Sequence, residues 1–182
     1  ISAARVCSML TILFVGLISS VPSDSATAAD WEFTVRYSKT VRAEPFTGRV
    51  LLLFSRARRE PRTGPGWFNP ELFVAQDVTD WKPGTPLVFS TKTPGKMLAH
   101  PKPLAEMNLT GYRAQAVARF NPYVRNIGTG TGNGFSQVAV ISEGKTPTFV
   151  IDKLVPERKF VETKWSKLLR VRSKKLSKFH SR

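Results

Sequence analysis

The clearest pattern along the chain is a strict alternation at Trp31 to Tyr37, where Trp31, Phe33, Val35 and Tyr37 fall on one face and Glu32, Thr34 and Arg36 on the other. A period of two predicts a half-buried strand. A different pattern organises the centre, Glu44 to Phe89. Val50 to Phe54 is an unbroken run of Val, Leu and Phe, with Gly48 before it and a charged cluster after it. That run is too short for a helix and predicts a strand buried on both faces. The following RARREPRTGPG cannot hold a helix, because Pro61 and Pro65 remove amide donors and fix φ while Gly64 and Gly66 relax the backbone. It reads as a surface crossing to a second apolar segment, Leu72 to Val78, bracketed by Trp67 and Trp81.

Downstream, Ser90 to Asn108 reads as a long loop broken by Pro94, Pro101 and Pro103. From Tyr112 to Phe120, Tyr112, Ala114, Ala116, Ala118 and Phe120 alternate with Arg113, Gln115, Val117 and Arg119. The loop NPYVRNIGTGTGNG leads to Phe135–Ile141, and a turn at Glu143-Gly144-Lys145 leads to Thr148–Ile151. Six or seven short strands without helical periodicity predict an all-β, immunoglobulin-like β-sandwich of about seven strands.

Residues 1–29 read as a signal peptide. Arg5 gives the positive start, Met9 to Ile18 the apolar stretch, and Ala26-Thr27-Ala28 a cleavage site, with cutting after Ala28 or Ala29. The apolar stretch is about half the ~20 residues a membrane-spanning helix needs. Export is therefore expected, to a secreted or periplasmic location, with no membrane span after cleavage. Cys7 lies in this leader and is the single cysteine, so the remainder has neither disulfide nor thiol nucleophile. Three segments follow: the leader 1–29, a β-sandwich 30–155, and a basic tail or linker 156–182.

Composition is that of an ordinary globular domain, with 41% hydrophobic and 23% charged residues, but the net charge is +15. Between Lys153 and Arg182 there are eleven Lys and Arg against two acids, so most of the excess sits in the tail and the body is only mildly basic. Arg170, Arg172, Lys174, Lys175 and Lys178 are the tail's candidates for gripping a polyanion. Leu169, Val171 and Ser173 alternate with Arg170, Arg172 and Lys174 like an edge strand, whereas Leu169, Leu176 and Phe179 also fit a helical stripe.

Catalytic motifs are scarce. No G-x-S-x-G occurs; Gly134-Phe-Ser136-Gln-Val138 fails at its last position. Ser142 and Lys145 have S-x-x-K spacing but sit in a hairpin turn. Gly128, Gly130, Gly132 and Gly134 precede a strand rather than a helix, so they read as a flexible hairpin loop and not as a phosphate cradle. His100, a loop residue beside Pro101, and His180 lack metal-ligand spacing. Asp77 and Asp80 read as turn residues. No cofactor or metal is called for. Trp67, Phe68, Trp81 and Tyr112 could form a sugar-stacking platform, although large aromatics at strand ends read first as core plugs.

The strings EPFTGRVLLLFSR, GPGWFNPELFVAQDVTDWKPGTPLVF, GTGNGFSQV, LVPERKFVET and LLRVRSKKLSKFHSR together resemble the N-terminal region of large secreted esterases of planctomycete-type bacteria, in the esterase D or feruloyl-esterase-like group. The resemblance spans Trp31 to Arg182. It implies a β-sandwich preceding an α/β-hydrolase domain, with the RSKKLSKFH segment leading into that domain and the catalytic serine, acid and histidine beyond it. No catalytic residue carries over, and His180 matches the leading segment rather than the triad. The resulting expectation is a secreted, noncatalytic accessory domain whose partner is a hydrolase domain encoded downstream. A free-standing carbohydrate-binding module and a polyanion binder are the alternatives.

Overall fold

A computed structural model of the chain describes residues 30–64, 71–142, 144–169 and 171–180. The leader, Trp67, Phe68 and Arg170 lie outside them, and with these the expectations placed on those positions.

The chain is all-β, as its patterning predicts. The strands are β1 (Glu32–Tyr37), β2 (Phe46–Ser55), β3 (Phe73–Trp81), β4 (Leu87–Ser90), β5 (Leu98–His100), β6 (Arg113–Ala118), β7 (Gly134–Ser136), β8 (Ala139–Val140) and β9 (Thr148–Leu154), with one short helix, α1 (Lys174–His180). They form a single sheet in the order β4-β1-β9-β7-β6-β2-β3-β5, with β8 pairing β6. The two layers expected of a sandwich are thus facing walls of one continuous sheet. The three-residue β7 joins them: it pairs β6 on one side and β9 on the other, with a register shift at Phe135/Ser136. A short, bulged strand bends sharply, and here it turns the corner. That β1 and β2 face each other across the interior is seen in Phe33 and Phe54, whose rings lie 5.7 Å apart although β9, β7 and β6 separate the two strands in the sheet.

β1 behaves as its alternation requires, with Phe33, Val35 and Tyr37 buried and Glu32 and Arg36 exposed. β2 is the central strand, flanked by β3 and β6. Both of its faces are covered, and Val50 to Phe54 are each no more than 7% exposed. Val50, Leu52 and Phe54 join the main interior, while Leu51, Leu53, Ala75 and Val117 form a second cluster on the outer face, under Phe73, Ile127 and Phe135. Two long connections supply that outer cover. Among its described residues the crossing after β2 makes one 3₁₀ turn, at Pro61–Thr63, and no α-helix. The amide of Arg62 donates to Oε1 of the buried Gln115, and the Arg62 guanidinium lies 4.0 Å from the Phe135 ring.

The loop Ser90–Asn108 contains an unforeseen element, the edge strand β5, which pairs β3 with His100 opposite Phe73. Its continuation plugs one end of the interior with Leu104, Met107 and Leu109, and the Trp31 indole donates to the Met107 carbonyl at 2.8 Å. At the opposite end β1 and β3 finish and β2 begins. There the Tyr37 hydroxyl donates to the Trp81 carbonyl at 2.7 Å, with the Glu44 carbonyl also within reach at 3.0 Å.

The glycine run is tied into the fold by buried hydrogen bonds and close contacts. Asn133 is fully buried; its Oδ1 accepts from the Asn121 amide and its Nδ2 donates to the Ile127 carbonyl, both at 2.9 Å. The amide of Gly132 donates to the Val155 carbonyl at 2.9 Å. Glycine is required here by close approach: a Cβ on Gly128 would collide with the Arg62 carbonyl, and one on Gly134 would lie 2.7 Å from Ile151 Cγ2.

Burial ends at Val155, and residues 156–169 are exposed. Among the described residues of the tail neither an edge strand nor a long helix forms. Its regular structure is α1, which starts beyond Leu169 and Val171. Among the described residues no helix is long and apolar enough to cross a membrane.

Candidate functional site

Of the aromatic residues singled out from the sequence, Trp81 and Tyr112 are described, and these two do not come together. Trp81 is 6% exposed, its indole donates to the Thr85 carbonyl at 2.9 Å, and its ring meets Tyr37 edge-on at 4.7 Å. It is a core plug with no face left for a sugar. Tyr112 precedes β6, whose first residue pairs with Ser55 at the end of β2, whereas Trp81 pairs with Phe46 at its beginning. The length of β2, roughly 30 Å, therefore separates them. The Tyr112 ring is itself covered by the Arg56 guanidinium at 4.5 Å.

The serines are committed or turn-bound. Ser136 is 1% exposed; its hydroxyl accepts from the Ala116 amide at 2.9 Å and donates to the Gln137 carbonyl at 2.8 Å. With donor and acceptor capacity both used in the sheet, it is a structural residue. Ser142 and Lys145 face each other across an antiparallel bridge beside Gly144, whose φ is +67°, so their spacing is that of a tight turn. His100 stacks on Phe73 at 5.5 Å. Among the described residues no three of His, Cys, Asp and Glu cluster as a metal site would need.

Asp77 has a different role from the turn residue expected. It lies in β3 and is held by Arg49 opposite it on β2, with Arg49 Nε and Nη2 each 2.8 Å from a carboxylate oxygen. The double hydrogen bond holds the Asp77 carboxyl below its ordinary range.

This ion pair forms one wall of a groove of about 650 Å³ at the end of the sheet where β2 begins. Two further arginines face the same space. Arg42 comes from the loop between β1 and β2, where its amide bonds the Ser38 carbonyl and Tyr37 secures the Glu44 carbonyl two residues on. Its guanidinium carbon sits 5.7 Å from the centres of both the Phe46 and Phe120 rings, which meet edge-on at 5.0 Å. Arg119 follows β6 and reaches the Pro122 and Val124 carbonyls at 3.1 and 3.3 Å. The Nε atoms of Arg42 and Arg119 are both buried without an acceptor. Arg42 has no carboxylate or carbonyl partner among the described residues. A β-bulge at Phe46/Gly48 shapes the floor: Gly48 has φ of 155°, and a Cβ there would lie 2.9 Å from Phe46 Cε2.

Three guanidinium groups against one carboxylate leave the groove doubly positive. Its floor is aromatic, and Arg42 and Arg119 are half-buried whereas Arg49 is exposed. Arg42 and Arg119 are far apart in the chain, and their recruitment depends on β2 and β6 being neighbours. The local signal for each is an arginine just ahead of a phenylalanine at a strand end, in RAEPF and ARF.

The tail residues Arg172, Lys174, Lys175 and Lys178 are exposed. The tail also exposes apolar side chains, including Val161, Trp165 and Leu169. No protein-family model, curated protein or solved structure matches this chain.

Proposed function

We propose that this chain is a secreted, noncatalytic accessory domain, related to the N-terminal part of exported ester hydrolases, that works by holding a ligand rather than transforming it. The observation that carries this reading is the chemistry of the groove. Forked N–H donors over aromatic rings bind and orient a ligand; they neither attack a carbonyl nor accept its proton. The resemblance in strings such as WFNPE and VPER supports the tie to hydrolases. The test is hydrolysis of a p-nitrophenyl ester by the purified chain. Turnover no faster than in buffer is expected, and turnover surviving both Ser136→Ala and Ser142→Ala would overturn the reading.

The exposed tail favours a second role, contact with a polyanion. Retention on heparin should then fall steeply with salt, because each released counterion contributes to the slope. Replacing Arg172, Lys174, Lys175 and Lys178 by Gln should flatten that dependence; an unchanged slope would place the contact elsewhere.

A further inference from the structure

The geometry points to the groove at Arg42 and Arg119 as a binding site for a carboxylated saccharide, a uronic-acid sugar or a short oligomer of such sugars. Four features of the groove converge on this chemistry. The first is Arg42, which lines the groove with its guanidinium over Phe46 and Phe120 and to which no described residue supplies a side-chain acceptor. A guanidinium without a protein acceptor is well matched by an oxyanion of planar, forked shape. Arg119 lines the same cavity and, with Nη2 bonded to the Pro122 and Val124 carbonyls, adds positive charge held in a fixed place.

The second feature is the apolar surface beside these donors. Phe120, Pro122 and Ile127 line the groove. Such a surface suits the C–H face of a pyranose ring, which a bare inorganic anion does not possess. Third, the Asp77 carboxylate lies in the wall. Each of its oxygens accepts one bond from Arg49 and keeps lone pairs for sugar hydroxyls, with Thr47 beside it as a further polar contact. The same carboxylate repels a densely charged chain of phosphates, so a nucleic acid or polyphosphate fits the groove less well. Fourth, about 650 Å³ lies within the size range of small-molecule sites and accommodates one or two sugar rings.

The test is calorimetric titration of the full chain at low salt with a trimer of galacturonic acid, against the fully methyl-esterified trimer as the uncharged counterpart. The acid should bind at least tenfold more tightly than the ester. Arg42→Gln should weaken the acid at least tenfold, and Arg42→Lys, which keeps the charge without the fork, by less. Lys174→Gln/Lys175→Gln in the tail should leave the affinity within twofold of the parent. Should Arg42→Gln fail to fold, amide shifts in the parent chain decide the matter: on titration they should concentrate at Thr47, Gly48 and Phe120. Equal binding of acid and ester, no binding of the acid, loss of binding in the tail variant, or shifts confined to residues 156–180 would each overturn the proposal. The inference rests on the noncatalytic reading above in one respect, that the sugar is held and not cut. Chromatography of the recovered trimer separates the two, since shortened products would refute that reading while leaving occupancy of the groove standing.

Discussion

The Tyr37 hydroxyl supports both the fold and the groove, and Tyr37→Phe isolates its contribution. The ring stays in place, edge-on to Trp81 at 4.7 Å and to Phe120 at 5.7 Å, so almost no apolar burial is lost. What disappears is the donor to the Trp81 carbonyl at 2.7 Å, which also lies 3.0 Å from the Glu44 carbonyl. Tyr37 is 1% exposed, so water does not readily replace it. A lost hydrogen bond that leaves a buried acceptor unsatisfied costs about 1–3 kcal/mol. For a domain of this size the melting temperature should fall by roughly 4–12 °C. The assay is thermal unfolding followed by far-ultraviolet circular dichroism, with urea unfolding to check that the m-value is unchanged. Tyr123→Phe, at a residue 93% exposed, serves as the control and should melt like the parent. A Tyr37→Phe melt within about 2 °C of the parent would mean the two carbonyls are satisfied without the phenol, and the reasoning fails. A second readout has its own sign. Burial, with Asp80 and Glu44 adding to it against the opposing Arg42, raises the phenol's pKa above its ordinary value. Its stabilisation is therefore complete below the ordinary tyrosine range and is lost as pH rises toward the folded value, so the gap between parent and variant should narrow in strong alkali.

Gly134→Ala should destabilise by about 1–3 kcal/mol, since its methyl would press on Phe120 and Ile151 across the corner strand; urea unfolding measures this, and a neutral result would show that the corner yields. Ser136→Ala orphans the buried Ala116 amide and should cost about 1–3 kcal/mol by the same measurement. The Asp30 carboxyl is lowered by its hydrogen bond to Lys92 and then Thr91, and that of Asp77 by Arg49, so both pairs add stability above the ordinary carboxylate range and lose it as pH falls below. The stability difference between the parent and Asp77→Asn should accordingly be larger at pH 7 than at pH 3; a constant difference would refute the linkage.

The fold was legible wherever one strand's own residues decide its burial. β1 announces itself by alternation, and the Val50–Phe54 run reports two covered faces. β5 escaped notice because Leu98-Ala99-His100 is too short for periodicity and is flanked by prolines; only pairing with β3 makes it a strand. The glycine run was legible as a loop, but its need for glycine comes from Arg62, Phe120 and Ile151, which no local pattern places beside it. Trp81 shows the limit for single aromatics, because a ring at a strand end is compatible with either side of the sheet until a neighbour such as Tyr37 claims it. The groove was the least legible part. Arg42 and Arg119 are ordinary surface residues by sequence, and their convergence on one groove is a property of the assembled end of the sheet.

The parallel pairing of β1 with β9, from Thr34 opposite Thr148 to Tyr37 opposite Ile151, has a mechanical consequence. Tension applied before β1 and after β9 runs along both strands in opposite senses. It loads their cross-links together in shear instead of peeling them one by one. This β domain should therefore resist stretching between β1 and β9 far better than its modest strand lengths would imply.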